Sequence, residues 1–233
     1  MRRAPEPVRH ESSVISKEHI ETMAFHLQLA TLFLASGLAP AAGGPPVCVV
    51  DEDFTLGRTA ASRPRDPGAF TPEGWMANTP ASQLKYDLGR HYRKGFVEIE
   101  IRGPLKQQPK HSLFSAWNEE AASDGDRKTQ AFCQLRLMNG GMMLRLTYRP
   151  GGRSFEGEVA PLEWEDKWYR IEGTWDTAGG ESTLKRDGVL LKSGKFNAPF
   201  EGFRWVFIGT DNYQNFQAIP GVVYRRLKVC VSD

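Results

Sequence analysis

Cysteine and histidine are scarce, three and five in 233 residues. They form no CxxC pair and no Cys/His cluster, which excludes the usual zinc sites; His10 and His111 stand alone as surface residues. An excess of one charge is missing too. Lys+Arg 30 against Asp+Glu 28 leaves a formal net charge of +2, without the basic stripe of a nucleic-acid-binding chain or a charge that draws it to an anionic membrane. No apolar run reaches the roughly 20 residues that span a bilayer, so the chain carries no transmembrane segment. Helical periodicity is nearly absent beyond the first forty or so residues, as are internal repeats and low-complexity tracts.

The most apolar stretch, LQLATLFLASGL from Leu27 to Leu38, is followed by Ala39-Pro40-Ala41, small residues at the spacing of a signal-peptide cleavage site. A buried helix is the competing reading, but Gly37, Pro40 and Gly43-Gly44-Pro45-Pro46 leave such a helix nothing to continue into. We therefore read residues 1–41 as a leader with a signal peptide, Met23 being an alternative start, and 42–233 as one β domain that is secreted or periplasmic. Exported chains meet oxidising conditions. Cys48 and Cys230, on the first and last strands, are predicted to bridge, while Cys133 lies on the apolar parity of its strand and is predicted to be a buried, inert thiol.

Short stretches of period-two alternation, bounded by Gly, Pro, Asn and Asp, fill the remainder. They predict strands near 47–54, 83–88, 95–102, 112–118, 131–138, 142–149, 154–160, 167–175, 182–191, 203–211 and 221–231. Met138-Asn139-Gly140-Gly141-Met142 and Arg186-Asp187-Gly188-Val189 carry hairpin-turn chemistry. Gly57–Gly74 and Glu119–Lys128 read as long irregular loops. Successive side chains point to opposite faces of a strand. Val97, Ile99 and Ile101 thus oppose Glu98, Glu100 and Arg102, and Cys133, Leu135 and Leu137 oppose Gln134 and Arg136. Leu144 and Leu146 likewise oppose Arg145 and Thr147, and Tyr169, Ile171, Gly173 and Trp175 oppose Arg170, Glu172 and Thr174. One apolar and one polar face per strand is the pattern of two stacked antiparallel sheets, an all-β sandwich.

Several of these strings together resemble a family. Leu84-Lys85-Tyr86-Asp87-Leu88-Gly89, Gly95–Arg102 and Ser112-Leu113-Phe114-Ser115 look like the early strands of concanavalin A-like lectin/glucanase domains of the laminin-G type. Lys167–Asp176, Leu184–Leu191, Phe207-Ile208-Gly209-Thr210 and Gly221–Val229 resemble its later ones. The resemblance covers roughly the whole of 42–233 and implies a jelly roll of two curved sheets, with a carbohydrate or another extracellular ligand on the concave one. In its closing strand this chain has Tyr224-Arg225-Arg226 where many members carry an acidic residue, which argues against a calcium site built there.

The polar faces supply the candidate ligand site: Glu98, Glu100, Gln134, Arg136, Arg145 and Arg170, with Glu172 beside them and Trp117, Asn118 and Tyr213 at the rim. Aromatic faces stack on pyranose rings, and planar amide, carboxylate and guanidinium groups fix hydroxyls. The competing reading is a solvated sheet whose charges pair across strands. Glycoside hydrolysis needs two carboxylates about 5 Å apart. Glu98 and Glu100 are two apart on one strand, but the Glu-x-Asp-x-x-Glu signature of the family's hydrolases is absent. A polysaccharide lyase would use His91, Tyr92, Arg136, Arg145 and Tyr148, although His91-Tyr92 is predicted to lie in a turn. Asp51, Glu52 and Asp53 cluster at the N-terminal edge; they either hold a structural Ca²⁺ through Asp51 and Asp53 or solvate an edge strand. Phe203-Arg204-Trp205-Val206-Phe207, Trp168 and Trp175 are read as core. The function these observations favour is a secreted, lectin-like domain that binds carbohydrate without catalysis and without a cofactor. A polysaccharide-degrading enzyme, lyase before hydrolase, comes second, and a structural or adhesive module third.

Overall fold

Alternation does become strands. The computed structural model describes residues 45–62, 66–106, 110–118, 131–138, 140–148, 154–156, 159–210 and 217–233. The leader and Tyr213 lie outside the described residues. Among the described residues fourteen strands follow one another: β1 Val47–Asp53, β2 Ala69–Thr71, β3 Gly74–Met76, β4 Gln83–Tyr92, β5 Lys94–Arg102, β6 Lys110–Trp117, β7 Ala131–Met138, β8 Gly141–Tyr148, β9 Ser154–Glu156, β10 Tyr169–Asp176, β11 Ser182–Arg186, β12 Val189–Gly194, β13 Phe203–Gly209 and β14 Val223–Ser232. One turn of 3₁₀ helix, Phe54–Leu56, follows β1.

The strands form two antiparallel sheets. The first runs β12-β11-β10-β5-β14-β3-β2, with β1 also paired to β14; the second runs β4-β13-β6-β7-β8-β9. The predicted inward residues meet between them. Ile99, Ile101, Leu135, Leu144, Ile171, Leu184 and Leu227 are all 0% exposed and belong to one core. Burying each such side chain stabilises the fold by roughly 1.5–3 kcal/mol. Gly173 gives the second sheet room, since a Cβ there would stand 2.8 Å from Leu135 Cδ1. The Tyr224 hydroxyl, fully buried, donates to the Leu113 carbonyl at 3.3 Å and ties the closing strand of the first sheet to the second.

Three local expectations need correction. The single strand read at 182–191 is two: Asp187 (φ 51°) and Gly188 (φ 80°) fold it into the hairpin β11–β12, because a two-residue turn with both central φ angles positive matches the strand twist. His91 and Tyr92 are not in a turn but in the last residues of β4. A short strand, β2, falls inside the loop read at Gly57–Gly74, and it pairs with β3, which begins at the loop's last residue, Phe70 lying opposite Trp75. The predicted bridge forms: Cys48 and Cys230 are disulfide-bonded at directly opposed positions of β1 and β14. It joins the two ends of the domain.

Candidate functional site

Position in the sheet order decides which polar residues can share a surface, and this order divides the predicted set in two. Gln134 and Arg136 (β7), Arg145 (β8), Trp117 (end of β6) and Asn118, the residue after it, belong to the second sheet. Glu98 and Glu100 (β5) and Arg170 (β10) belong to the first, so they look out from the opposite side of the sandwich. The parity assigned to each strand holds; the single surface assembled from them does not, because alternation says which side of its own sheet a residue takes and nothing about which sheet that is.

On the first sheet the charges answer one another across strands. Cα register sets Asp51, Lys228, Glu98, Glu172 and Lys185 in one row and Asp53, Arg226, Glu100 and Arg170 in the next. A bulge between Tyr224 and Arg226 frees Arg225 to reach Glu100 at 2.6 Å and to lie 4.4 Å over the Trp168 ring. Arg226 meets Asp51 at 3.3 Å, and Arg170 stands 3.9 Å from Glu172. Such exposed pairs contribute about 0–1 kcal/mol each. Both acids of the suggested calcium site are engaged by protein groups: Asp51 by Arg226, and Asp53 by the Thr55 N–H and hydroxyl at 3.0 and 2.6 Å. Those Thr55 hydrogen bonds hold the Asp53 carboxyl below its ordinary value. Among the described residues no three His, Cys, Asp or Glu side chains gather as a metal would require.

The outward face of the second sheet is of another kind. Strand β13 runs between β4 and β6; Val206 and Ile208 point into the core, and Trp205 and Phe207 point away from it. Reading these two as part of the main core was half right: they are packed, but in a separate cluster with Trp117 and Phe132. Register places Lys85, Phe207, Ser115, Gln134, Arg145 and Glu156 in one line across all six strands. Asp87, Trp205, Trp117, Phe132, Thr147 and Ser154 form the adjacent line. Ser112 and Arg136 are paired beyond the first. Four aromatic rings thus lie among cations and hydroxyls, as the contacts bear out: Lys85 Nζ is 3.9 Å from the Trp205 ring centre, and the Arg145 guanidinium is 4.7 Å from that of Phe132.

Enclosure grades across this face. Toward β7 and β8 it is closed, with Arg136 and Arg145 only 3% and 5% exposed and Gln134 and Thr147 at 1% and 0%. Toward β4 and β13 it opens, Lys85, Arg204 and Trp205 being half-buried and Asp87 exposed. Arg204 holds Asp87 through two hydrogen bonds of 2.8 Å, which keep the Asp87 carboxyl below its ordinary value. At the end of the aromatic line, His91 Nε2 meets Asn118 Oδ1 at 3.3 Å and Asn118 Nδ2 donates to Glu201 at 2.9 Å. This face also contains hydrogen-bonding atoms that are not used. Ser112 Oγ, Ser115 Oγ, Thr147 Oγ1 and Trp205 Nε1 are buried and have no hydrogen-bond partner among the described residues. Leaving such a group unsatisfied costs about 1–3 kcal/mol, and four of them share this face.

The sequence reading missed Lys85, Ser112, Ser115, Phe132, Trp205 and Phe207 as members of this face. A signal was present: in β6, β7 and β13 the outward parity is itself occupied by Trp117, Phe132, Trp205 and Phe207, where a solvated sheet would alternate to charge. Cys133 takes no part. It is buried on the core side, and burial pushes its thiol up to about 12, so thiolate chemistry is closed to it.

The sequence matches no protein-family model and no curated protein. Its fold recurs among solved structures. Domain 4 of AbnA, a GH43 extracellular arabinanase from Geobacillus stearothermophilus, in complex with arabinotriose, superposes with a TM-score of 0.53 at 14% identity over 80% of this chain and 93% of that one. The CBM40 of Ruminococcus gnavus IT-sialidase gives 0.50 at 20% identity, covering 68% and 89%, and the binding domain of botulinum neurotoxin serotype G gives 0.51 at 13%, covering 78% and 47%. At these identities the likeness is one of fold: a two-sheet antiparallel β-sandwich shared with carbohydrate-binding modules.

Proposed function

We propose that this chain is an extracellular carbohydrate-binding domain of the lectin/glucanase-like jelly-roll kind, and that it binds without catalysis through the outward face of its second sheet. One observation carries the reading: four aromatic rings lie beside unused buried donors and acceptors on a single face. Apolar ring faces and hydroxyl-satisfying atoms are the two things a sugar requires together. The fold neighbours support it, two of them being a sialidase CBM40 and an arabinanase domain in complex with arabinotriose. Hydrolysis finds less support. Glu98 and Glu100, the carboxylates considered for it, lie on the other sheet, and Glu100 is held by Arg225. The disulfide accords with an extracellular setting.

A glycan array probed with the full chain tests the proposal. At least one glycan class should be retained, and Trp205→Ala should weaken it about tenfold or more while the melting temperature stays within a few degrees of the parent. Retention of no glycan, or binding indifferent to Trp205→Ala, would overturn it.

A further inference from the structure

On the outward face of the first sheet, Phe96 carries an aromatic ring that no core cluster includes. We infer that the hollow beside this ring is a second sugar site, on the opposite side of the sandwich from the first, and that it takes a single uncharged sugar ring. This goes beyond the reading above and is tested separately from it.

The hollow follows from side-chain size along two rows of the sheet. Phe96 on β5 lies between Cys230 on β14 and Thr174 on β10, and Lys94, two residues earlier, lies between Ser232 and Asp176. Strand parity sends these six outward, opposite to the buried Val97, Trp175 and Val231. Short neighbours beside two long side chains leave a depression of about 270 Å³, bordered by Pro46 and Glu181. That lies near the lower end of small-molecule sites, roughly 300–1,000 Å³, which suits one ring rather than a chain of them. Both rows lie beyond those in which Arg170, Arg225 and Arg226 meet their acids.

The ligand class comes from what lines the hollow. Phe96 is half-buried, and among the described residues its ring meets no other ring and no cation. A ring left in that state can take the apolar face of a pyranose. Hydrogen-bonding groups surround it. Lys94 Nζ stands 3.6 Å from Asp176 Oδ2, too far for a hydrogen bond, so ammonium and carboxylate both keep capacity for a hydroxyl. Thr174 Oγ1 accepts the Thr183 N–H at 2.8 Å and shares a hydrogen bond with Thr183 Oγ1 at 2.9 Å; whichever hydroxyl donates, the pair keeps one proton to give away. Ser232 adds a half-buried hydroxyl and Glu181 an exposed carboxylate. Donors and acceptors of both charge signs are thus interleaved around one aromatic face. A sugar hydroxyl both donates and accepts and matches such a set, whereas a carboxylate or sulfate would meet Asp176 and Glu181 as well as Lys94.

A glycan array probed with the full chain and with Phe96→Ala, Ser232→Met and Trp205→Ala tests this. At least one uncharged glycan should be retained by the parent and by Trp205→Ala, and its retention should fall about tenfold or more with Phe96→Ala. Ser232→Met, which fills the hollow from a half-buried position, should have the same effect, and both variants should melt within a few degrees of the parent. Should Phe96→Ala melt well below it, Ser232→Met decides alone. Calorimetric titration of the retained glycan should give an affinity that changes less than about twofold as salt is raised. A response to these two variants confined to sialylated or sulfated glycans would overturn the uncharged class. No glycan responding to either would overturn the second site, whatever Trp205→Ala does. Glycans that respond to both and are indifferent to Trp205→Ala would sustain this site and overturn the first.

Discussion

The disulfide between β1 and β14 offers the sharpest test of how this domain is held. Cys48 and Cys230 are 182 residues apart, so the bond closes nearly the whole domain into one loop. Loop-closure entropy for that length destabilises the unfolded ensemble by about 5 kcal/mol at 25 °C. In a domain of this size each kcal/mol corresponds to about 2–4 °C, which puts the expected fall in melting temperature for Cys48→Ser/Cys230→Ser at about 10–20 °C. Local effects work the same way: β1 is an edge strand that pairs with β14 alone, anchored by Val50 and Phe54. A calorimetric scan of the variant should agree with one of the parent under reductant, both melting below the parent without reductant. Cys133 does not confuse the comparison, being buried with its thiol pushed up to about 12. A fall of less than about 3 °C would refute the reasoning, because the long loop would then impose little restriction on the unfolded chain.

Gly95 lies opposite Trp175, and a Cβ there would overlap the indole ring; Gly95→Ala should destabilise the fold by about 1–3 kcal/mol, read as a lower denaturant midpoint with unchanged slope. The Asp66 carboxylate accepts from Gly68 N–H, Thr79 Oγ1 and Ser82 Oγ, and these bonds, the Gly68 one foremost, hold it below its ordinary 3.8. Its stabilising contribution is therefore present above that value and lost as pH falls through the lower folded one, so Asp66→Asn should flatten the acid limb of a stability–pH curve and leave the alkaline limb alone. Thr147→Val replaces a buried, unused hydroxyl by a methyl of the same shape. It should raise the melting temperature by about 2–4 °C and weaken sugar binding, and a lower melting temperature would show that the hydroxyl is already satisfied.

Parity was legible because it is a local property. Two side chains one residue apart diverge whatever the rest of the chain does, and so Ile99, Leu135 and Ile171 could be assigned to the interior from their own strands. The Asp187-Gly188 turn was legible for a similar reason, its positive φ angles being written in two residues. Sheet membership is not local. β13 runs between β4 and β6, and β14 between β5 and β1, pairings that join residues 88 or more positions apart. Glu100 and Arg136 carry the same period-two signature, and only the strand order separates them by the thickness of the sandwich. His91 was misplaced because Gly89 reads in sequence as a turn, whereas here, with a left-handed φ of 86°, it sits within β4 in the irregular stretch opposite the step from Phe203 to Trp205.

The two outward faces differ in how their polar groups are satisfied. On the first sheet, Arg225, Arg226 and Arg170 meet Glu100, Asp51 and Glu172, and water reaches most of these groups, so an incoming ligand would have to replace contacts already made. On the second, Ser112, Ser115, Thr147 and Trp205 have polar atoms shut away from water without a partner among the described residues, which weakens the domain. Natural folds retain such costs chiefly where function requires them. A bond across 182 residues, contributing about 5 kcal/mol, is of the same order as the cost of two or three such atoms. The same closure that fixes the ends of the domain can therefore sustain an unsatisfied face on its far sheet.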